Sequence, residues 1–148
     1  MKIQMLPSSI DENGQASARQ HLLSLVIDDS VAIDAGCLAM SCSQSQRKKI
    51  RDIILTHTHL DHIAGLPMFI DDLFASLIEP VRIHATAEMV EILERDIFNW
   101  SIYPRFSELT NDHGPVVRYC EFERGSSIEG SHLSVRSIGV NHPVSANG

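Results

Sequence analysis

The chain has few cysteines, no long apolar run and no excess of positive charge, and each shortage closes off a class of protein. Cys37, Cys42 and Cys120 form an odd set with no CxxC pair, which speaks against a disulfide framework and for a reducing, cytoplasmic setting. All three are expected as buried or incidental thiols. The amino-terminal residues Met1-Lys2-Ile3-Gln4-Met5-Leu6-Pro7 lack the apolar core of a signal peptide, and the stretch 22–27 is far too short to cross a bilayer. No membrane partner is therefore expected. A net charge of -7 argues against the broad basic face through which nucleic acids usually bind. It leaves room for a small anionic substrate, because bound divalent cations invert the sign of the field inside a pocket.

What is present is the composition of an ordinary folded domain, 43% hydrophobic and 21% charged over 148 residues, without repeat, linker or low-complexity tract. One domain, 1–148, is the natural reading. A chain of this length buries roughly two-thirds of its unfolded surface, so its core needs no covalent staples.

Short apolar runs at 2–6, 22–27 and 31–34 read as strands, the last two joined tightly through Asp28-Asp29-Ser30. Between them, 8–20 is rich in Ser, Asn, Gly and Gln and reads as a flexible surface loop. The polar stretch 41–49 reads as the end of a short helix, and the β-branched run 50–55 as a buried strand. From Ile63 the apolar spacing through Leu66, Phe69, Ile70, Leu73, Phe74 and Leu77 changes to helical period, which directs Met68 and its apolar neighbours toward the core. A strand at 81–84 precedes a helix started by Thr86 and running through Met89, Val90, Leu93 and Ile97 to Trp100, with Glu88 and Glu91 near its positive end. Two more strands are expected at 116–122 and 132–140. The alternation is that of an α/β protein.

The chemistry lies in Thr56-His57-Thr58-His59-Leu60-Asp61-His62, at the junction of the buried strand and the following helix. Loops at strand ends are where sites are built. His57 and His59, two apart in an extended segment, project to one side, and the turn after them can swing Asp61 and His62 back toward them. Imidazoles and a carboxylate without thiolate suit zinc, and also manganese or iron, with an open position for water. The remaining histidines, His21, His84, His113 and His132, read as surface or packed residues. Phe98, Trp100 and Tyr103 read as packing under a loop rather than as a base-stacking platform.

HTHLDH after a strand ending Ile53-Ile54-Leu55 resembles the metallo-β-lactamase superfamily. Val31-Ala32-Ile33-Asp34-Ala35-Gly36 resembles its earlier strand ending in an aspartate, and Val140-Asn141-His142-Pro143 its later histidine motif. The resemblance implies a mixed β-sheet with flanking helices, mostly the N-terminal half of an αβ/βα sandwich. It implies two divalent metal ions: His57, His59 and His142 for the first, Asp61 and His62 for the second, with Asp34 supporting a ligand imidazole from behind. HTHLDHIAGLP, the stretch 95–106 and VNHPVSANG resemble bacterial relatives of the class II cyclic-nucleotide phosphodiesterases. That family's signature continues past its glycine with aliphatic residues and a serine, where this chain reads Leu66-Pro67-Met68-Phe69-Ile70.

The activity this implies is hydrolysis of a small phosphodiester of the 3',5'-cyclic AMP type, with two metals sharing a hydroxide and clamping the phosphoryl oxygens and Asp61 accepting a proton. Alternatives are a transfer-RNA 3'-processing endoribonuclease, a thioester or lactone hydrolase of the same fold, and an inactive metal-binding fragment. The superfamily pattern places a bridging aspartate and a final histidine after His142, and 144–148 holds neither. The chain is therefore expected to be truncated at its C-terminus. Such a half-sandwich would expose apolar surface and favour oligomers, a homodimer among them.

Overall fold

A computed structural model describes residues 1–129 and 133–140. The first strand, β1 (Ile3–Met5), pairs antiparallel with β2 (Leu25–Ile27), and β2 with β3 (Val31–Ile33). Asp28 and Asp29 both hold positive φ (46° and 58°), and the Ser30 N–H donates to the Ile27 carbonyl at 3.1 Å. This is a primed turn, whose twist suits a hairpin and whose geometry Asp tolerates. The segment 8–20 is largely exposed, as expected, yet it is tied to itself: Gln20 Oε1 accepts the Ser8 and Ser9 N–H groups, and Asp11 accepts those of Asn13 and Gln15.

After β3 come two short helices, α1 (Leu38–Ser41) and α2 (Gln44–Lys49). The polar stretch thus holds the end of one helix and the whole of another. A capping box opens α2: Ser43 accepts the Gln46 N–H, and the Gln46 side chain accepts the Ser43 N–H. Gln46 Nε2 also donates to Gln4 and Asp29, both at 2.8 Å, tying this helix to the first hairpin.

Strand β4 (Asp52–Ile54) is buried at every position and lies parallel to β3. It leads into α3 (Leu60–Ile63) and α4 (Leu66–Leu73), which a 3₁₀ turn at Phe74–Ser76 continues. Leu66, Pro67, Phe69, Ile70 and Leu73 are buried on α4, but Met68 is 37% exposed. The core-facing expectation fails there because the helix turns Met68 off the buried stripe. Strand β5 (Val81–Ala85) adds parallel to β4.

Thr86 caps α5 (Ala87–Ile92), its hydroxyl accepting the Met89 N–H. The helix does not reach Trp100. It passes into a π-helical turn at Leu93–Ile97 and stops at Phe98, with Trp100 at φ 66°. Arg105 Nε donates to the Phe98 carbonyl, and the Trp100 N–H to the Tyr103 carbonyl. These partners replace the helical ladder and bend the chain into a loop. A 3₁₀ turn at Phe106–Glu108 leads to a small hairpin, β6 (Thr110–Asn111) and β7 (Gly114–Pro115). Then β8 (Val117–Glu121) closes the sheet parallel to β5. Last come β9 (Ser127–Glu129) and β10 (Ser134–Arg136), an antiparallel pair outside the main sheet. Of the strand expected at 132–140, the three residues of β10 are strand and His132 lies outside the described residues.

The main sheet runs in the order β1-β2-β3-β4-β5-β8, antiparallel at one edge and parallel from β3 onward. Alternation along the strands divides its faces. Val26, Ala32, Ile53, Val81 and Ile83 pack with the helical residues Leu38, Leu66, Phe69, Ile70, Met89 and Leu93 in the larger core. Val31 and Ile54 face the other way and pack with Ile128 of β9. Asp52 also faces that side. Its buried carboxylate accepts Arg82 Nε and Nη2 at 2.7 and 2.9 Å and lies 2.8 Å from His84 Nε2. His84 is therefore a packed, paired histidine, as expected. Cys37 and Cys42 are buried and Cys120 half-buried, all as free thiols. Among the described residues, no helix is long and apolar enough to cross a membrane.

Candidate metal centre

The histidine segment leaves the carboxyl end of β4 in the middle of the parallel part of the sheet. Crevices at such strand ends are where open α/β sheets bind ligands. Because β3 and β4 run parallel with Ile33 beside Ile54, the residues just past each strand, Asp34 and Thr56, become neighbours. The Asp34 N–H donates to the Ile54 carbonyl at 2.9 Å, and the Leu55 N–H to the His84 carbonyl at 2.9 Å. Three strands thus hold the start of the site.

His57 is buried and His59 half-buried, with ring centroids 4.8 Å apart. The His57 and His62 rings are closer, 4.0 Å between centroids. Asp61 lies in the first turn of α3 with its side chain 54% exposed, one oxygen 3.4 Å from His62 Nε2. Alternation along the extended segment and the turn into α3 together bring His57, His59, Asp61 and His62 to one place. His142 lies outside the described residues. Among those described, no three donors are drawn together closely enough to form a metal cage on their own.

Asp34 is fully buried behind this cluster. Its carboxylate accepts the Thr56 N–H at 2.8 Å and the Thr56 hydroxyl at 2.8 Å, and lies 2.7 Å from His62 Nδ1. The hydrogen bond to Asp34 holds the His62 pKa above the ordinary imidazole value, burial opposing it. A carboxylate on Nδ1 leaves Nε2 as the nitrogen directed to the front, where Asp61 lies. That is how metal-binding imidazoles are commonly oriented. The donor set therefore suits a divalent cation in its chemistry.

A second turn locks the geometry. Asp34 sits at φ 58°, and the next two N–H groups donate outward, Ala35 to the His62 carbonyl at 2.7 Å and Gly36 to the Leu23 carbonyl at 2.9 Å. The Leu23 N–H in turn donates to the Asp61 carbonyl at 2.9 Å. A Cβ on Gly36 would lie 1.9 Å from that Asp61 carbonyl oxygen, and one on Gly65 would lie 2.6 Å from the Ala35 oxygen. Two glycines thus let the turn after β3 lie directly against the backbone of the turn that carries Asp61 and His62. The importance of Gly36 and Gly65 is not visible in the motif. Nor is that of Thr56, whose hydroxyl reaches Asp34 and lies 3.0 Å from His57 Nδ1.

Comparison with known proteins bears on the family and the fold. A family model described as the metallo-beta-lactamase superfamily matches residues 33–120. A probable 3',5'-cyclic-nucleotide phosphodiesterase of Yersinia pestis is 31% identical over 62 residues, a match taking in 42% of this chain and 17% of that protein. The metallo-beta-lactamase fold protein YhfI from Bacillus subtilis superposes with a TM-score of 0.63 at 16% identity, over 98% of this chain and 55% of that one. The short form of human tRNase Z gives 0.62 at 16% identity, over 99% of this chain and 63% of its own. The chain thus spans about half to three-fifths of the length of these structures. At such identities the superpositions speak for the fold.

Proposed function

Since this chain belongs to the metallo-beta-lactamase superfamily, we propose that it carries the first ligand motif of a metal-dependent hydrolase acting on a small phosphodiester of the 3',5'-cyclic nucleotide type. The observation that carries the reading is the gathering of His57, His59, Asp61 and His62 at the end of β4 in front of buried Asp34. The likeness to the Yersinia phosphodiesterase supports the substrate class.

In this reading His57, His59 and His142 hold one divalent ion, and Asp61 and His62 a second. Zinc is the simplest choice for such donors, with manganese or iron compatible. When bound, the ions supply Lewis-acid charge for the phosphoryl oxygens and ionise water at neutral pH. The protein's part is placement. Asp34 fixes the plane of His62, and the hydrogen bonds from Ala35 and Leu23 fix the turn bearing Asp61 and His62. In the same reading Asp61, half-exposed and 3.4 Å from His62 Nε2, accepts a proton from the attacking water. The net charge of -7 disfavours a long polyanion and favours a small ester over RNA.

The test is turnover of cyclic AMP, a bis-aryl phosphodiester, a thioester and transfer RNA by the zinc- or manganese-loaded full chain, beside Asp61→Ala. Phosphodiester hydrolysis that falls about 100-fold or more in the variant is expected. Turnover unchanged by the substitution would remove Asp61 from the chemistry. Preference for the thioester, or salt-sensitive cleavage of transfer RNA, would overturn the substrate class.

A further inference from the structure

Thr56 precedes the ligand motif and has no ligand role in the reading above, yet its hydroxyl sits between Asp34 and His57. We propose that Thr56 is a positioning residue that sets the tautomer of His57, so that one buried carboxylate orders two ligand imidazoles, one directly and one through a hydroxyl. The inference rests on the reading of the 57–62 segment as a metal site.

As a carboxylate, Asp34 can only accept. Its Oδ1 takes the Thr56 N–H at 2.8 Å, so Oδ2, 2.8 Å from Thr56 Oγ1, takes the Thr56 hydroxyl proton. A hydroxyl has one proton, and this one is committed. Toward the imidazole nitrogens beside it, His57 Nδ1 at 3.0 Å and His62 Nδ1 at 3.4 Å, Oγ1 is therefore an acceptor, and in the shorter contact His57 Nδ1 carries the hydrogen. Nε2 of His57 is left with its lone pair. The same carboxylate oxygen lies 2.7 Å from His62 Nδ1, which assigns that proton likewise and directs His62 Nε2 to the front, 3.4 Å from an Asp61 oxygen. The two rings, 4.0 Å apart between centroids, thus offer the same nitrogen to a divalent cation.

Backbone geometry holds the relay in place. The Thr56 N–H is itself bound to Asp34, and Asp34 is fixed by its own N–H on the Ile54 carbonyl. Without the hydroxyl, the His57 Nδ1–H loses this acceptor, and the Nε2–H tautomer, which presents N–H where the cation requires a lone pair, gains population. Serine at this position keeps the relay. Valine keeps the branched shape and loses it.

The experiment compares wild type, Thr56→Ser and Thr56→Val as full chains. The first readout is the nitrogen-proton correlation spectrum of the imidazoles in metal-free protein at about pH 8.5, above the usual imidazole range. Wild type and Thr56→Ser should show His57 with its proton on Nδ1, and Thr56→Val a shift toward Nε2–H. A wild-type His57 protonated on Nε2 would overturn the proposal whatever the variants do. The second readout is zinc affinity by competition with a chromophoric chelator. Thr56→Val should weaken it about 10- to 100-fold, the usual effect of removing a hydrogen-bond partner behind a metal ligand, and Thr56→Ser should restore it. Wild-type tautomer and affinity in Thr56→Val would sink the idea. If wild type binds no zinc while the tautomers follow the expected pattern, the metal-site reading fails and the hydroxyl relay stands.

Discussion

Gly36 is held by contact as much as by conformation. Its neighbours are backbone atoms of Asp61 and Leu23, which cannot swing aside as a flexible side chain could. Gly36→Ala should therefore cost about 3 kcal/mol or more of stability, at the upper end of overpacking penalties, and should loosen the turn carrying Asp61 and His62. Denaturant unfolding measures the first effect, and zinc titration of the folded fraction the second. Tyr119 shows a different constraint. Its hydroxyl donates to Glu94 Oε1 at 2.6 Å, and burial first, with that carboxylate second, pushes its pKa well above the ordinary phenol value. Since the folded value is the higher one, this stabilisation is complete below the unfolded tyrosine pKa of about 10 and is lost as pH rises through the folded value. The chain has two tyrosines. Alkaline titration should thus show phenolate absorbance from Tyr119 appearing only together with unfolding, and Tyr119→Phe should flatten the alkaline fall in stability. Phenolate from both tyrosines in the still-folded protein would contradict the assignment.

Among the elements, the helices carry the clearest local instructions. The Ser43 and Gln46 box satisfies two N–H groups at the start of α2, a helix of six residues that could not persist alone. Ser43→Ala should lower stability by about 1 kcal/mol in thermal or urea unfolding, with Ser43→Asp close to wild type. The strand-to-helix switch after Leu55 was legible because apolar spacing changes period there. The end of the helix beyond Thr86 was not. Leu93 and Ile97 continue a helical spacing, but the carbonyl of Phe98 is taken by Arg105 and the Trp100 N–H goes to Tyr103. Those partners sit seven and three positions further along the chain, and apolar spacing does not encode them. The stretch 132–140 also misled, since alternation suggested a longer strand than β10, which among the described residues pairs with β9.

For the molecule as a whole, the exposed edge is the feature with consequences. Among the described residues, strand β1 is paired on one side only, and Ile3 and Met5 lie 57% and 62% exposed on one face of it. Unpaired edges with apolar side chains are templates for association. Concentration-dependent self-association in light scattering is expected, and Ile3→Lys with Met5→Lys should reduce it; a monodisperse monomer before substitution would contradict this. Fold class and the histidine-rich motif could be read from residues close together in the chain, because hydrophobic period and the donor chemistry of six consecutive positions are local properties. The support behind the motif could be suspected only at Asp34, and only through resemblance. Thr56 meets Asp34 across 22 positions, His62 meets it across 28, and Asp52 meets His84 across 32. Such meetings depend on which strands lie side by side and in what register, and the close approach at Gly36 on how tightly two turns pack. Those are outcomes of burying one shared core, and no local pattern carries them.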